Sequence, residues 1–227
     1  MSTSINSSGV TFPDATTQTT AAGVSFPGVL GQVFTSSGTF TIPSGVTALK
    51  ITVVGGGGGG VSYYGPLGFI NGNSGGNSTV SSGSQTITTL TGGGGGGGGW
   101  QLFSVGGTAS NGDLNVRGNT GYPVQISGGC GGQDAQVSGS SMYSGNLGNA
   151  YGSGGSLTGY AYGGGALGYI GAGSGGAGAG AGTAIKYLTG LTSGNTLSVT
   201  VGAGGTAPSY GSGTGGTGAA GVVIFEW

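Results

Sequence analysis

Three cations, four acidic side chains, one thiol and no histidine are all that this chain of 227 residues offers to acid–base, nucleophilic or metal chemistry. The cations are Lys50, Arg117 and Lys186; the anions are Asp14, Asp113, Asp134 and Glu226. General acid–base catalysis needs a positioned titratable group. Only Asp113 and Asp134 fall in the glycine-rich middle, and a paired-carboxylate glycosidase would need them within roughly 5–10 Å of each other. The plainer reading leaves both in solvated loops, with Asp113 near Arg117. Cys130 has no histidine to activate it and no second cysteine to bridge, so neither a thiolate nucleophile nor an intramolecular disulfide is expected. The same two absences exclude a zinc site, and calcium through Asp113, Asn111 or Asp134 is only weakly signalled. The runs Gly55–Gly60 and Gly92–Gly99 invite a phosphate-loop reading. That motif requires Lys-Ser or Lys-Thr and a helix after the loop, whereas Val61-Ser-Tyr and Trp100-Gln-Leu follow here. The sequence predicts no enzyme, no metal and no cofactor.

Recognition is the chemistry that remains. Aromatics punctuate the glycine-rich region, set among Ser, Asn and Gln. Tyr and Trp bring rigid amphipathic area at low entropic cost, and Ser, Gly and Asn add adaptable hydrogen bonds. Candidate receptor-binding residues are Tyr63, Tyr64 and Phe69 after the first glycine run, Trp100 and Phe103 after the second, and Tyr122, Tyr143, Tyr160 and Tyr162 further on. Tyr63, Tyr64, Trp100 and Phe103 lead this group, because each closely follows a long glycine run and so belongs at a tip. Competing with this is the reading that such aromatics only cover the ends of the glycine layer. A glycan or an outer-membrane protein loop suits the mixture as ligand. Three dispersed cations cannot neutralise phosphates, so no nucleic acid is expected, and a polybasic membrane anchor fails for the same reason. No apolar run is long enough for a transmembrane helix, and Met1-Ser-Thr-Ser-Ile-Asn6 has neither the basic nor the apolar region of an ordinary signal peptide.

Glycine supplies 64 of the residues. Unpatterned Gly and Ser read as disorder, but charge is nearly absent here and 34% of residues are apolar, unlike typical disordered chains. The glycine is also patterned. Gly118-Asn-Thr-Gly121, Gly145-Asn-Leu-Gly148 and Gly165-Ala-Leu-Gly168-Tyr-Ile-Gly171 repeat every third residue, the period of the left-handed polyproline II helix. Short helices of this kind, packed side by side with Gly letting backbones approach, would satisfy one another's N–H and C=O groups. Gly176-Ala-Gly-Ala-Gly-Ala-Gly182 has period two instead, which suits a silk-like strand or a transition into a strand.

Ordinary strand signals bracket this middle. Leu49, Ile51 and Val53 alternate with Lys50 and Thr52, and Leu197-Ser-Val-Thr-Val201 alternates likewise. Strands are expected at 33–42, 48–54, 184–189, 195–202 and 221–227. The expected fold is all-β, with a small β-sandwich framework enclosing a glycine-rich region of packed polyglycine II helices and almost no α-helix. The division is a leader at 1–30, a framework at 31–54 and 184–227, and a polyglycine region with loops at 55–183.

The stretch Gly31-Gln-Val-Phe-Thr-Ser-Ser-Gly-Thr-Phe-Thr-Ile-Pro-Ser-Gly45, continuing through Leu49-Lys-Ile-Thr-Val-Val54 and the glycine run to Gly60, resembles the opening of a glycine-rich domain recurrent in bacteriophage tail fibres. Thr189-Gly-Leu-Thr-Ser-Gly194 through Gly205, and Gly221-Val-Val-Ile-Phe-Glu-Trp227, are similar to its closing segments. The leader from Ile5 to Ala22 resembles a segment common in phage tail proteins. The resemblance covers about a third of the chain. It implies a virion protein at a tail fibre or tail tip, an adhesin whose loops meet a host receptor, with residues 1–30 contacting other fibre proteins and a homotrimer as the expected assembly. A purely structural fibre or decoration protein is the alternative reading, and an ice-binding protein a third, disfavoured by the irregular aromatic insertions.

Overall fold

The computed structural model describes residues 4–6, 9–11, 17–18, 30–64, 68–100, 102–121, 165, 176–209 and 215–227. The chain divides into two units, Met1–Leu30 and Gly31–Trp227. The first contains a three-stranded antiparallel sheet of β1 (Ser4–Asn6), β2 (Gly9–Thr11) and β3 (Thr17–Gln18). The second contains β4 (Gly31–Phe34), β5 (Gly38–Thr41), β6 (Ala48–Val54), β7 (Ser62–Tyr64), β8 (Gly68–Ile70), β9 (Ser78–Ser82), β10 (Leu90–Gly92), β11 (Ala109–Ser110), β12 (Leu114–Val116), β13 (Thr183–Thr189), β14 (Thr196–Thr200) and β15 (Val222–Glu226). No α-helix occurs among the described residues, and the fold is all-β.

Alternation of apolar and polar residues builds a sandwich from two five-stranded sheets, ordered β12-β13-β6-β15-β4 and β11-β10-β9-β14-β5. Leu49, Ile51 and Val53 of β6 and Val223 and Phe225 of β15 point inward from the first sheet. Phe40, Val80, Leu90, Leu197 and Val199 meet them from the second. At the centre Phe40 and Phe225 stack at 3.9 Å, and Phe34 sets its edge on Phe225 at 5.7 Å. The expected single strand over 33–42 is two strands in different sheets. Thr35-Ser-Ser37 breaks the run, and crossing there lets Phe34 and Phe40 reach the same ring from both layers. β9 and β10, which sequence reading left out of the framework, complete the second sheet. They are short and Ser/Thr-rich, and each sends a single large apolar side chain inward, Val80 and Leu90.

Beyond one end of the sandwich the strands continue as extended glycine segments without ladders. Four leave the sandwich (55–61, 93–98, 118–121 and 202–206) and four return to it (72–76, 105–108, 176–182 and 215–221). They keep the order of the strands they extend. One layer reads 118–121, 176–182, 55–61, 215–221, and the other reads 105–108, 93–98, 72–76, 202–206. Sheets in a sandwich lie about 10 Å apart because side chains fill the gap. Where the side chains vanish the layers hydrogen-bond directly, as in Gly95 N–H to Gly56 O and Gly56 N–H to Gly76 O, both 2.9 Å.

The 55–61 segment displays the helical period. Gly55, Gly58 and Val61 donate to Gly182, Ala179 and Gly176; Gly56 and Gly59 donate to Gly76 and Asn73; Gly57 and Gly60 donate to Ala219 and Gly216. Three successive residues thus address three neighbours, at 2.8–3.2 Å, as a three-residue helix requires. Two more neighbours, through Gly95, Gly98 and Gly205, donate back to it. None of its glycines has positive φ; among the described residues those that do, Gly45, Gly68, Gly190 and Gly194, lie outside the bundle. A Cβ at Gly58 would stand 2.0 Å from Gly96 O, and at Gly56 2.1 Å from Ala203 O. The period-two 176–182 stretch forms no strand but joins the same lattice, with Ala179 and Gly182 donating to Gly96 and Gly93. Gly165 also sits against it, where a Cβ would meet Gly178 O at 2.2 Å.

Candidate binding surface

The eight segments give the bundle two unlike ends. One end joins the sandwich. At the other, two connections among the described residues link outgoing to returning segments: the β7–β8 hairpin within 62–71 and the turn over 99–104. A run of seven residues at about 3.1 Å each sets the two ends roughly 20 Å apart.

The first connection is a hairpin of β7 and β8, with Tyr63 opposite Phe69 and Tyr64 opposite Gly68. Val61 and Ser62 below it are buried, and Ser62 Oγ accepts from Gly215 N–H at 2.9 Å. The second connection turns through a bridge between Gly99 and Leu102 and is pinned by buried Ser104, whose hydroxyl donates to Ala177 O. The two connections meet. Trp100 stacks on Phe69 with ring centroids 5.5 Å apart and planes 10° from parallel, and Trp100 N–H donates to Asn71 Oδ1 at 3.2 Å. The second connection exposes further apolar side chains: Trp100 is 44% exposed, Leu102 62% and Phe103 63%, and Val105, where the returning segment starts, is 58% exposed. Charged groups are absent from these two connections. Such a surface can bury apolar area against a partner, with Asn71 holding the Trp100 backbone in register.

Of the nine sequence-chosen residues, Phe69, Trp100 and Phe103 belong to this surface, and Tyr63 and Tyr64 enter by their backbone positions in its hairpin. Tyr122, Tyr143, Tyr160 and Tyr162 lie outside the described residues, as do Cys130 and Asp134. Sequence reading passed over Leu102, Val105 and Asn71. Leu102 and Val105 carried a usable signal, since both flank Phe103 in a turn that has no room to bury them.

Asp113 does not pair with Arg117. It accepts from Lys186 Nζ at 2.5 Å and from Tyr187 N–H at 2.8 Å, because β12 lies beside β13 with Leu114 opposite Ile185. The Lys186 hydrogen bond, then that of Tyr187, lowers its carboxyl below the usual aspartate value of 3.8. Arg117 Nε instead donates to Gly106 O. Beside this pair a cleft of about 370 Å³ opens on the sandwich, lined by Gln85, Ile87, Asn111 and Leu188 among others. Two of its polar side chains are engaged by the protein itself: Asn111 Nδ2 donates to Thr89 O, and Gln85 Oε1 accepts from Thr192 N–H and Asn195 Nδ2.

No protein-family model, no curated protein and no solved structure matches this chain.

Proposed function

We propose that this chain is a bacteriophage tail-fibre or tail-tip adhesin that binds the host surface, a glycan or an outer-membrane protein, through the aromatic and polar connections at the far end of the glycine bundle. The observation that carries the reading is the Phe69–Trp100 stack joining two of those connections into one exposed apolar surface, on a scaffold whose other end is a sandwich. The phage resemblance of residues 5–22, 31–60 and 189–227 supports a virion location, a homotrimer, and contact of residues 1–30 with other fibre proteins. No catalytic step is assigned.

Competition tests this. Saturating purified protein should block adsorption of the phage that encodes it. Trp100→Ala with Phe103→Ala should weaken blocking about tenfold or more, as loss of an aromatic hot spot does, with an unchanged melting temperature. Absence of blocking by the parent protein would favour a purely structural fibre or decoration role.

A further inference from the structure

The chain contains two asparagines followed by glycine, Asn71-Gly72 and Asn111-Gly112, and the fold holds the two pairs in different ways. Such a pair carries its own reaction. The glycine nitrogen can attack the carbonyl carbon of the asparagine side chain, because glycine has no Cβ to hinder the approach. The nitrogen loses its proton to hydroxide, a new C–N bond closes a succinimide ring, and the side-chain nitrogen departs as ammonia. Water then opens the ring to aspartate or isoaspartate, so water and hydroxide are the only reagents. In a folded chain the glycine N–H must first give up its hydrogen bond and the backbone must swing towards the side chain. The reaction therefore follows local opening.

Asn71-Gly72 stands where the tip meets the bundle. Gly72 N–H donates to Gly98 O at 2.9 Å, and the next amide, of Asn73, donates to Thr206 O at 2.9 Å. A Cβ at Gly72 would lie 2.2 Å from Gly59 O. Asn71 Oδ1 accepts from Trp100 N–H at 3.2 Å. Freeing this glycine amide means parting the 72–76 segment from its neighbours at 93–98, 202–206 and 55–61.

Asn111-Gly112 lies in the turn between β11 and β12. Asn111 sits in the left-handed region at φ 63°, the single non-glycine residue to do so among those described, a conformation in which asparagine is enriched. Gly112 N–H donates to Asn115 Oδ1 at 3.0 Å, Asn115 Nδ2 donates back to Gly112 O at 2.9 Å, and Asn111 Nδ2 donates to Thr89 O at 2.7 Å. Each of these bonds ends on a side-chain amide, and Asn111 and Asn115 are both exposed. A Cβ at Gly112 would also crowd backbone, at 2.7 Å from Leu114 O and 2.8 Å from Ile185 O, but neither carbonyl accepts its N–H. The turn can open by rotating these side chains while both sheets keep their ladders. We infer that Asn111 is the site of spontaneous deamidation in the folded protein and that the glycine lattice shields Asn71. The product sets a carboxylate against the Thr89 carbonyl, two residues from Asp113, and spares the Asn71 contact with Trp100 at the tip. The inference is independent of the adhesin reading.

The test uses the full chain. Incubation at mildly alkaline pH, then chymotryptic digestion and mass spectrometry, reads the two asparagines in separate peptides. In the folded protein Asn111 should convert about tenfold faster than Asn71, with isoaspartate among its products, and in denaturant the two rates should converge, because only the shared Asn-Gly sequence then acts. Asn115→Ala, which frees the Gly112 amide, should quicken conversion at Asn111 and leave Asn71 unchanged. Equal rates in the folded protein, faster conversion at Asn71, no conversion at Asn111 over a time in which the denatured chain converts, or an Asn111 rate unmoved by Asn115→Ala would each overturn the inference.

Discussion

At the scale of single residues, glycine here is a statement about neighbours. Gly58 is enclosed on every side by backbone, so Gly58→Ala drives a methyl into Gly96 O. Backbone cannot swing aside as a side chain can, and a cost of ~3 kcal/mol or more is expected. Thr217 sits in an equally glycine-rich segment but faces solvent, and Thr217→Ala should stay within about 0.5 kcal/mol. Thermal unfolding of the two variants checks the contrast; equal effects would contradict the packing. Thr52 is fully buried and its hydroxyl has no partner. Thr52→Val keeps the shape and removes the unsatisfied group, so a gain of ~1 kcal/mol is expected, readable as a raised denaturation midpoint. For Asp113 the folded carboxyl titrates below the unfolded one. Its contribution is therefore whole above about pH 3.8 and is lost as pH falls through the lower folded value. Asp113→Asn should therefore be less stable than the parent by a constant amount at neutral pH, and the difference should shrink below about pH 3.8; a difference that does not change across the acid limb would refute the pairing with Lys186.

At the scale of elements, strand and glycine segment are one continuous piece of chain. The strand buries large side chains between sheets, and the segment replaces that burial with hydrogen bonds to as many as five neighbours. Phe225 ties the two regimes together, since it stacks on Phe40 in the core while β15 runs directly on from the 215–221 segment. Phe225→Ala should cost ~3–5 kcal/mol. Because the segments hold their register through the strands, the loss should lower one shared transition, followed by far-ultraviolet dichroism and by amide exchange of Gly55–Gly60. Separate melting of the bundle would mean that it stands without the sandwich. The alternation of Leu49, Ile51 and Val53 made β6 legible, and β13, β14 and β15 end within two residues of where the pattern placed them. β9, β10 and the corner between β4 and β5 were not legible, because Ser and Thr at strand positions look the same as Ser and Thr in loops.

At the scale of the whole molecule, the plan sets an inert, charge-poor scaffold against a localised apolar tip. Outgoing and returning segments alternate, so the β7–β8 hairpin and the turn over 99–104 both arrive at the tip, away from the sandwich. The proposed adhesin role would use that separation, because a recognition surface at the tip could change while the folding of the scaffold does not. The leading aromatics fell at this tip because a glycine run that leaves the sandwich must end there. Their partnership was not legible: nothing in spacing says that Phe69 of one connection meets Trp100 of the next, or that Asn71 holds its backbone.

By itself the sequence determined the all-β class, the strand regions over 48–54, 184–189, 195–202 and 221–227, and the poverty of titratable groups, and it suggested three-residue glycine helices, since each of these follows from local alternation, period or composition. Which glycine segment lies inside, which lies at the rim, and which loops touch were decided only in three dimensions. The glycine code is legible afterwards in part: the unbroken run Gly55–Gly60 is buried throughout between neighbouring segments, whereas Thr108, Thr206 and Thr217 in edge segments are exposed. A single segment carries no record of its neighbours, and it is the neighbours that exclude a Cβ.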